Sequence, residues 1–228
     1  MKFELFLIES ESHRISIDED EFKRLFDIHC KNMDINKPYW RGMGYHGEYL
    51  QLEPRKRLTT RDSITGSNTQ NILTDYFLSK EIKNYPKRSE SIICGNNSNK
   101  NTANMYGDAL YKIYPFDSTI IASCEEHDFI FTEMHLNGKT IDADDYFAIL
   151  ELANIKGKSY IDILKSMKEC DEEDFIKVFG PSKDIESVLK DAYTAKNMQI
   201  NVGTSKDVNK ESGMHELWFN GPCLAVIN

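Results

Sequence analysis

The chain has 228 residues, 40% of them hydrophobic and 11% aromatic, with a net charge of −9. That composition suits a packed core and excludes a disordered tail or a protein that merely coats nucleic acid. No apolar run approaches the roughly 18 residues needed to span a bilayer.

The opening KFELFLIES lacks a long apolar stretch and a small-residue cleavage site, so it does not read as a signal peptide. Its alternation predicts a strand over 2–8. SIDEDEFKRLFDIHCKNM predicts a helix, with Ser16 and Glu19 at capping-box spacing. Phe22, Leu25, Phe26, His29, Cys30 and Met33 form one face of it, which makes His29 a core histidine before a ligand. Residues 50–75 are polar and basic and predict loops, with a short helix near 70–80. Strands are predicted at 89–94, 110–114, 118–123 and 128–133, and GNNSNKN at 95–101 predicts a loop.

From 142 to 197 the pattern is helical. Asp142 opens a helix carrying Tyr146, Ile149, Leu150 and Ala153, SYIDILKSM has a Ser159/Asp162 cap, and DEEDFIKVF has Asp171 and Asp174. DIESVLKDAY puts Ile185, Val188, Leu189 and Ala192 on one face and spaces Glu186 to meet Lys190. Strands return at 198–202, 214–220 and 222–227. The whole reads as one α+β domain over 1–228 with a helical insertion at about 142–197.

Charge is unevenly spread. Residues 37–115 hold 12 basic and 7 acidic groups, whereas residues 1–36 hold 5 and 9, and residues 116–228 hold 11 and 21. A basic middle between acidic flanks suits a local anion site, with chance clustering on a solvated surface as the plain alternative. Five widely separated cysteines without a CxxC pair point to a reducing compartment and away from structural zinc, so a cytoplasmic protein without a metal is expected.

Three segments contain candidate chemistry. KPYWRGMGY places Arg41 after Tyr39 and Trp40 and before Gly42, and a guanidinium walled in by aromatics needs an anion, from the protein or from a ligand. PKRSESIICG places Ser89 and Ser91 two apart, on one side of the predicted strand. MHELWFNG has Glu216 opening an apolar strand. Each has an ordinary reading as well: a bridge to a surface carboxylate, two serines on a strand, and a strand-edge charge that discourages aggregation.

In their order these segments resemble the mono-ADP-ribosyltransferases of the arginine–serine–glutamate type, found among bacterial toxins and phage enzymes. KPYWRG is similar to the family's early arginine strand. Ser89–Glu90–Ser91 followed by Ala103–Asn104–Met105–Tyr106 is similar to its serine strand and short helix, and Glu216–Leu217–Trp218–Phe219–Asn220–Gly221 to its glutamate strand and turn. Glu90 stands where the family usually has threonine, and Met214 where many relatives carry Glu or Gln.

The resemblance implies a split β-sandwich with an NAD cleft and outer helices. NAD would be the ADP-ribose donor. Arg41, with Gly42 beside it, would clamp the diphosphate, which a planar two-pronged guanidinium suits. Ser89 would orient Glu216, with Ser91 alongside. Tyr106 would stack on the nicotinamide, and Glu216 would accept a hydrogen bond from the ribose 2′-hydroxyl and stabilise developing positive charge. The acceptor would be a protein side chain or a nucleic-acid base, with RNA slightly favoured in the setting the resemblance implies; Arg55, Lys56, Arg57 and Arg61, with Lys87 and Arg88, could track a phosphate backbone, while the acidic overall charge pulls the other way. The implied setting is a phage enzyme or an antiphage toxin paired with an antitoxin or inhibitor protein. An NAD glycohydrolase would use the same residues, and an inactive interaction module working through its acidic helical block is the reading from another class.

Overall fold

The structure, a computed structural model, describes residues 13–53, 69–126, 134–136, 139–141, 159–168, 173, 176, 181, 184–208, 213 and 215–228. The expected strands at 2–8 and 128–133, the helix from Asp142 and the Asp171/Asp174 cap lie outside the described residues, as does the basic run Arg55–Arg61. In chain order the elements are β1 (His13–Ile17), α1 (Glu19–His29), β2 (Tyr39–Met43), β3 (Tyr49–Glu53), α2 (Thr69–Glu81), β4 (Ile92–Gly95), α3 (Lys100–Asn104), β5 (Ala109–Pro115), β6 (Ile121–Cys124), β7 (Met134–Leu136), β8 (Lys139–Ile141), α4 (Tyr160–Lys168), α5 (Ile185–Ala192), β9 (Ile200–Gly203), α6 (Ser205–Val208), β10 (Glu216–Phe219) and β11 (Cys223–Ile227). The α+β class therefore stands, with a large antiparallel sheet and several helices. The chain divides into two compact units: Met1–Leu58 with Pro86–His127 and Asn201–Asn228, and Thr59–Tyr85 with Asp128–Ile200.

The first unit is built on a nine-stranded sheet of order β1-β3-β11-β5-β2-β4-β10-β6-β9. Most ladders run for four or five residue pairs, such as β2 with β5 from Tyr39↔Ile113 to Met43↔Ala109. Between β2 and β4 the ladder is a single pair, Trp40↔Gly95. Beyond it β2 and β4 are not paired, which leaves a break, or crease, in the ladder. One core gathers Leu50, Ile113 and Ala225 from the β1 side of the crease and Ile92, Leu217 and Phe219 from the β10 side. Each such buried leucine, isoleucine or phenylalanine contributes about 1.5–3 kcal/mol by leaving water.

α1 is capped by Asp18, whose carboxylate accepts from the Glu21 amide at 2.8 Å. Ser16, the expected cap, is still paired in β1 opposite Leu50, so the helix cannot start there. Glu19, Asp20 and Glu21 occupy the first turn, where negative charge suits the helix dipole. Phe22 and Leu25 are buried as the periodicity predicts, and Phe22 and Phe26 meet Tyr49 and Tyr114 at ring-centroid distances of 5.3 and 5.1 Å. His29 stacks on Phe116 at 4.5 Å. The start of the expected 50–75 loop is instead β3, because Leu50 and Leu52 alternate into the core.

In the second unit, α2, α4 and α5 bury Leu73, Phe77, Ile163, Met167 and Leu189. The Ser159 cap forms, its hydroxyl accepting from the Asp162 amide at 3.3 Å. Tyr76 stacks on Tyr160 at 3.6 Å, and the Tyr160 hydroxyl donates to Glu186 at 2.9 Å. Burial and that carboxylate hold the Tyr160 phenol well above its ordinary range. No helix among the described residues is long and apolar enough to cross a membrane.

Candidate active site

Arg41 sits at the crease. It lies one residue beyond the single Trp40↔Gly95 pair, where β2 no longer offers its backbone to β4. Its Nη1 donates to the Ile93 carbonyl at 2.6 Å, supplying a ladder acceptor that the parting strands leave behind. The side chain is half-buried, and no carboxylate among the described residues pairs with it. Arg41 also acts on Arg14, whose ionisation is lowered by burial and then by this second guanidinium. Arg14 Nη1 meets His46 Nε2, and His46 in turn is held below its ordinary range by burial and by Arg14.

Gly42 has a steric reason to follow Arg41. A Cβ there would stand 2.3 Å from the Ala103 carbonyl oxygen, and one on Gly107 would stand 2.3 Å from the Met43 nitrogen. Backbone therefore crosses backbone where α3 runs out against β2, and only glycine fits. Tyr106 lies at that crossing and is exposed. Trp40 is 5% exposed. Its Nε1 donates to Asn97 at 3.1 Å, and the Lys100 ammonium sits 3.9 Å from its ring.

Ser89 and Ser91 do not share a strand. Arg88–Glu90 form a 3-10 turn, and β4 starts only at Ile92. Ser91 is buried, and its hydroxyl donates to the Lys87 carbonyl at 2.7 Å, which closes the turn. Ser89 lies half-buried within that turn.

Glu216 is the first residue of β10 and is buried at 6% exposure. It lies opposite Gly95 on one side and Cys124 on the other, so Trp40, Gly95, Glu216 and Cys124 form one row across four strands. Arg88 Nε donates to Glu216 Oε1 at 2.8 Å, and both side chains are close to nine-tenths buried. Arg88 had been expected among the phosphate-tracking basics. Its burial against Glu216 removes it from that surface, whereas Lys87 stays exposed.

The segment leading into Glu216 is clamped by Asn96. Its Nδ2 donates to the Gly213 carbonyl at 2.7 Å, its Oδ1 accepts from the His215 amide at 3.2 Å, and its own amide donates to the His215 carbonyl at 3.0 Å. Gly213 has φ +103°, a conformation that suits glycine. His215 is buried with Nδ1 3.2 Å from the Cys124 carbonyl. Composition alone marked the asparagine run as a loop, and nothing in it showed that Asn96 would hold the chain entering the neighbouring strand β10.

Cys94 lies between the two charged candidates. Burial pushes its thiol up to about 12, with Arg41 pulling it down and Glu216 pushing it further up. Side chains alternate along β2, so Arg41 projects from the face opposite to Trp40 and the Glu216 row, on the core side with Tyr39, Met43 and Cys94. Among the described residues no group of three His, Cys, Asp or Glu side chains is arranged to hold a metal ion. No protein-family model, curated protein or solved structure matches the chain.

Proposed function

We propose that this chain is a mono-ADP-ribosyltransferase that takes ADP-ribose from NAD and passes it to a macromolecular acceptor, with RNA the first acceptor to try. The observation that carries the reading is the crease. A half-buried arginine without a carboxylate among the described residues and a buried glutamate at the head of a strand lie beside the single pair that joins β2 to β4. The reading takes that crease as the donor cleft of an ADP-ribosyltransferase-like split sandwich.

NAD fits the residues present. Its diphosphate would supply an anion for a guanidinium that, among the described residues, is hydrogen-bonded through Nη1 to one carbonyl. NAD brings the activated glycosidic bond. Arg41 would bind and orient the donor, while Glu216 would take the ribose 2′-hydroxyl and lower the energy of the positive charge that develops as nicotinamide leaves. Trp40 and the row it belongs to would keep water from that carboxylate, where electrostatic contacts are strongest. On this reading Ser89, half-buried in its turn, would hydrogen-bond within the site and Tyr106, which is exposed, would stack on the nicotinamide.

The test is nicotinamide release from NAD in the presence of total cell RNA or cell lysate, followed by mass spectrometry of any acceptor that gains ADP-ribose. Glu216→Gln is expected to lower turnover by at least about a hundredfold, the scale of losing one electrostatic contact in the transition state. Wild-type turnover in Glu216→Gln would remove this residue from the mechanism. Nicotinamide release with no labelled acceptor would make water the acceptor and the protein a glycohydrolase.

A further inference from the structure

We propose that Arg88 is a positioning residue for Glu216, fixing the direction of its carboxylate at the crease. The inference rests on the transferase reading of Glu216 and adds a group that neither the motif spacing nor the resemblance assigns.

The pair joins residues 128 apart in the chain, through Arg88 Nε and Glu216 Oε1 at 2.8 Å. Both ends are anchored before they meet. Glu216 is paired in register with Gly95 and Cys124, and its amide donates to the Glu126 carbonyl at 2.8 Å. Arg88 stands in a 3-10 turn that is closed four times over. The Ser91 hydroxyl and the Glu90 amide donate to the Lys87 carbonyl, the Ser91 amide donates to the Arg88 carbonyl, and Lys87 pairs with Glu90 at 3.4 Å. A hydrogen bond between two fixed backbones selects one rotamer of the acid, which a bond to a mobile side chain does not.

The chemistry of the donor matters as much as its place. A carboxylate with side-chain exposure of 7% needs a compensating cation, and Arg88 supplies one at 11%. Contact through Nε uses the guanidinium N–H nearest the stem, so a lysine carries its charge on a different atom and in another direction. Because Asn96 and the ladder hold the Glu216 backbone independently, loss of Arg88 would remove this hydrogen bond from the carboxylate while leaving the strand in place. On this account Ser91 serves the same end by holding the turn that carries Arg88.

The experiment is steady-state nicotinamide release by the full chain with NAD and total RNA, for wild type, Arg88→Gln, Arg88→Lys, Glu216→Gln and the Arg88→Gln/Glu216→Gln double variant. Arg88→Gln is expected to lower kcat by about a hundredfold, the cost of misplacing a reacting group by about 1 Å, with KM for NAD within about threefold of wild type. Arg88→Lys, which keeps the charge and therefore the fold, is expected to recover about tenfold of that loss. In the Glu216→Gln background the Arg88→Gln change should cost nothing further, as for residues that act as a unit. A kcat for Arg88→Gln within about threefold of wild type would overturn the inference, as would an additive loss in the double variant. A merely structural role would show in Arg88→Lys as kcat and KM moving together. Loss of turnover in Glu216→Gln with full turnover in both Arg88 variants would sink this inference alone, whereas full turnover in Glu216→Gln would sink the transferase reading itself.

Discussion

Replacing Gly42 by alanine tests whether the crossing of β2 by the chain after α3 fixes Arg41. The added Cβ would meet the Ala103 oxygen at 2.3 Å, the Gly107 nitrogen at 3.0 Å and the Tyr106 carbonyl carbon at 3.1 Å, all of them backbone atoms. Ordinary contact begins at about 3.4 Å, so roughly 1 Å must open between two elements that have no side chain to swing aside. Overpacking of this kind costs about 1–3 kcal/mol, and the upper end applies because backbone must yield. At roughly 2–4 °C per kcal/mol for a chain of this size, Tm should fall by about 5–10 °C. Since Arg41 is the next residue, a shift of about 1 Å should also lower nicotinamide release by about a hundredfold. Gly44→Ala is the matched control, because a Cβ there meets no backbone but only the His46 ring, at 3.3 Å from Nε2, so that any disturbance falls on the contact of His46 with Arg14. Thermal melts and turnover of the two variants side by side decide the matter. Gly42→Ala melting with wild type, or Gly44→Ala doing equal harm, would refute the account of this crossing.

Other outcomes follow from the same structure. Arg41→Lys should weaken NAD binding by about tenfold, measured by calorimetry, because a point charge cannot span two phosphate oxygens; unchanged affinity would leave Arg41 as a partner of the Ile93 carbonyl alone. Asn96→Ala removes the side-chain bonds to Gly213 and His215, at about 1 kcal/mol each, and should lower both the urea midpoint and turnover; full activity would show that the ladder alone holds Glu216. Burial pushes the Cys30 and Cys94 thiols up to about 12 and Cys223 higher than its ordinary range. An unfolded chain releases those protons near pH 8.5–9 while the native one keeps them, so this contribution is complete below that pH and is lost as pH rises towards 12. Stability from urea titrations should fall by about 1.4 kcal/mol per pH unit for each such thiol above pH 9, and Cys94→Ala should make the fall shallower; an identical slope in that variant would contradict the burial.

Strands that are short, mostly apolar runs were legible in the sequence. Leu217 and Phe219 in β10, Leu224 in β11, and Tyr111 and Ile113 in β5 all lie in the core. Boundaries failed where a local signal competed with pairing. Ser16 has the chemistry of a helix cap but is held in a ladder, and Ser89 and Ser91 have strand spacing but fall in a turn closed by Ser91 itself. The strand order was not legible, because nothing local states that β10 lies between β4 and β6. The candidate site shows the same division. Arg41 and Glu216 were chosen from residue type and order; they stand on nearby strands, but strand alternation turns their side chains to opposite faces of the sheet. Arg88 and Asn96 act across separations of 128 and 117 residues, and only the fold reveals such contacts.

The crease has a consequence for how the molecule can be tuned. With one residue pair bridging β2 and β4, the opening angle between the two wings of the sheet is governed by what is wedged inside them, chiefly thiols and aliphatic side chains such as Cys94, Cys223 and Leu217. A change of one methyl group in that wedge would widen or narrow the gap that Arg41 spans without altering any polar group beside it. Selection for a different ligand shape could therefore act from within the core, on residues that no substrate ever touches.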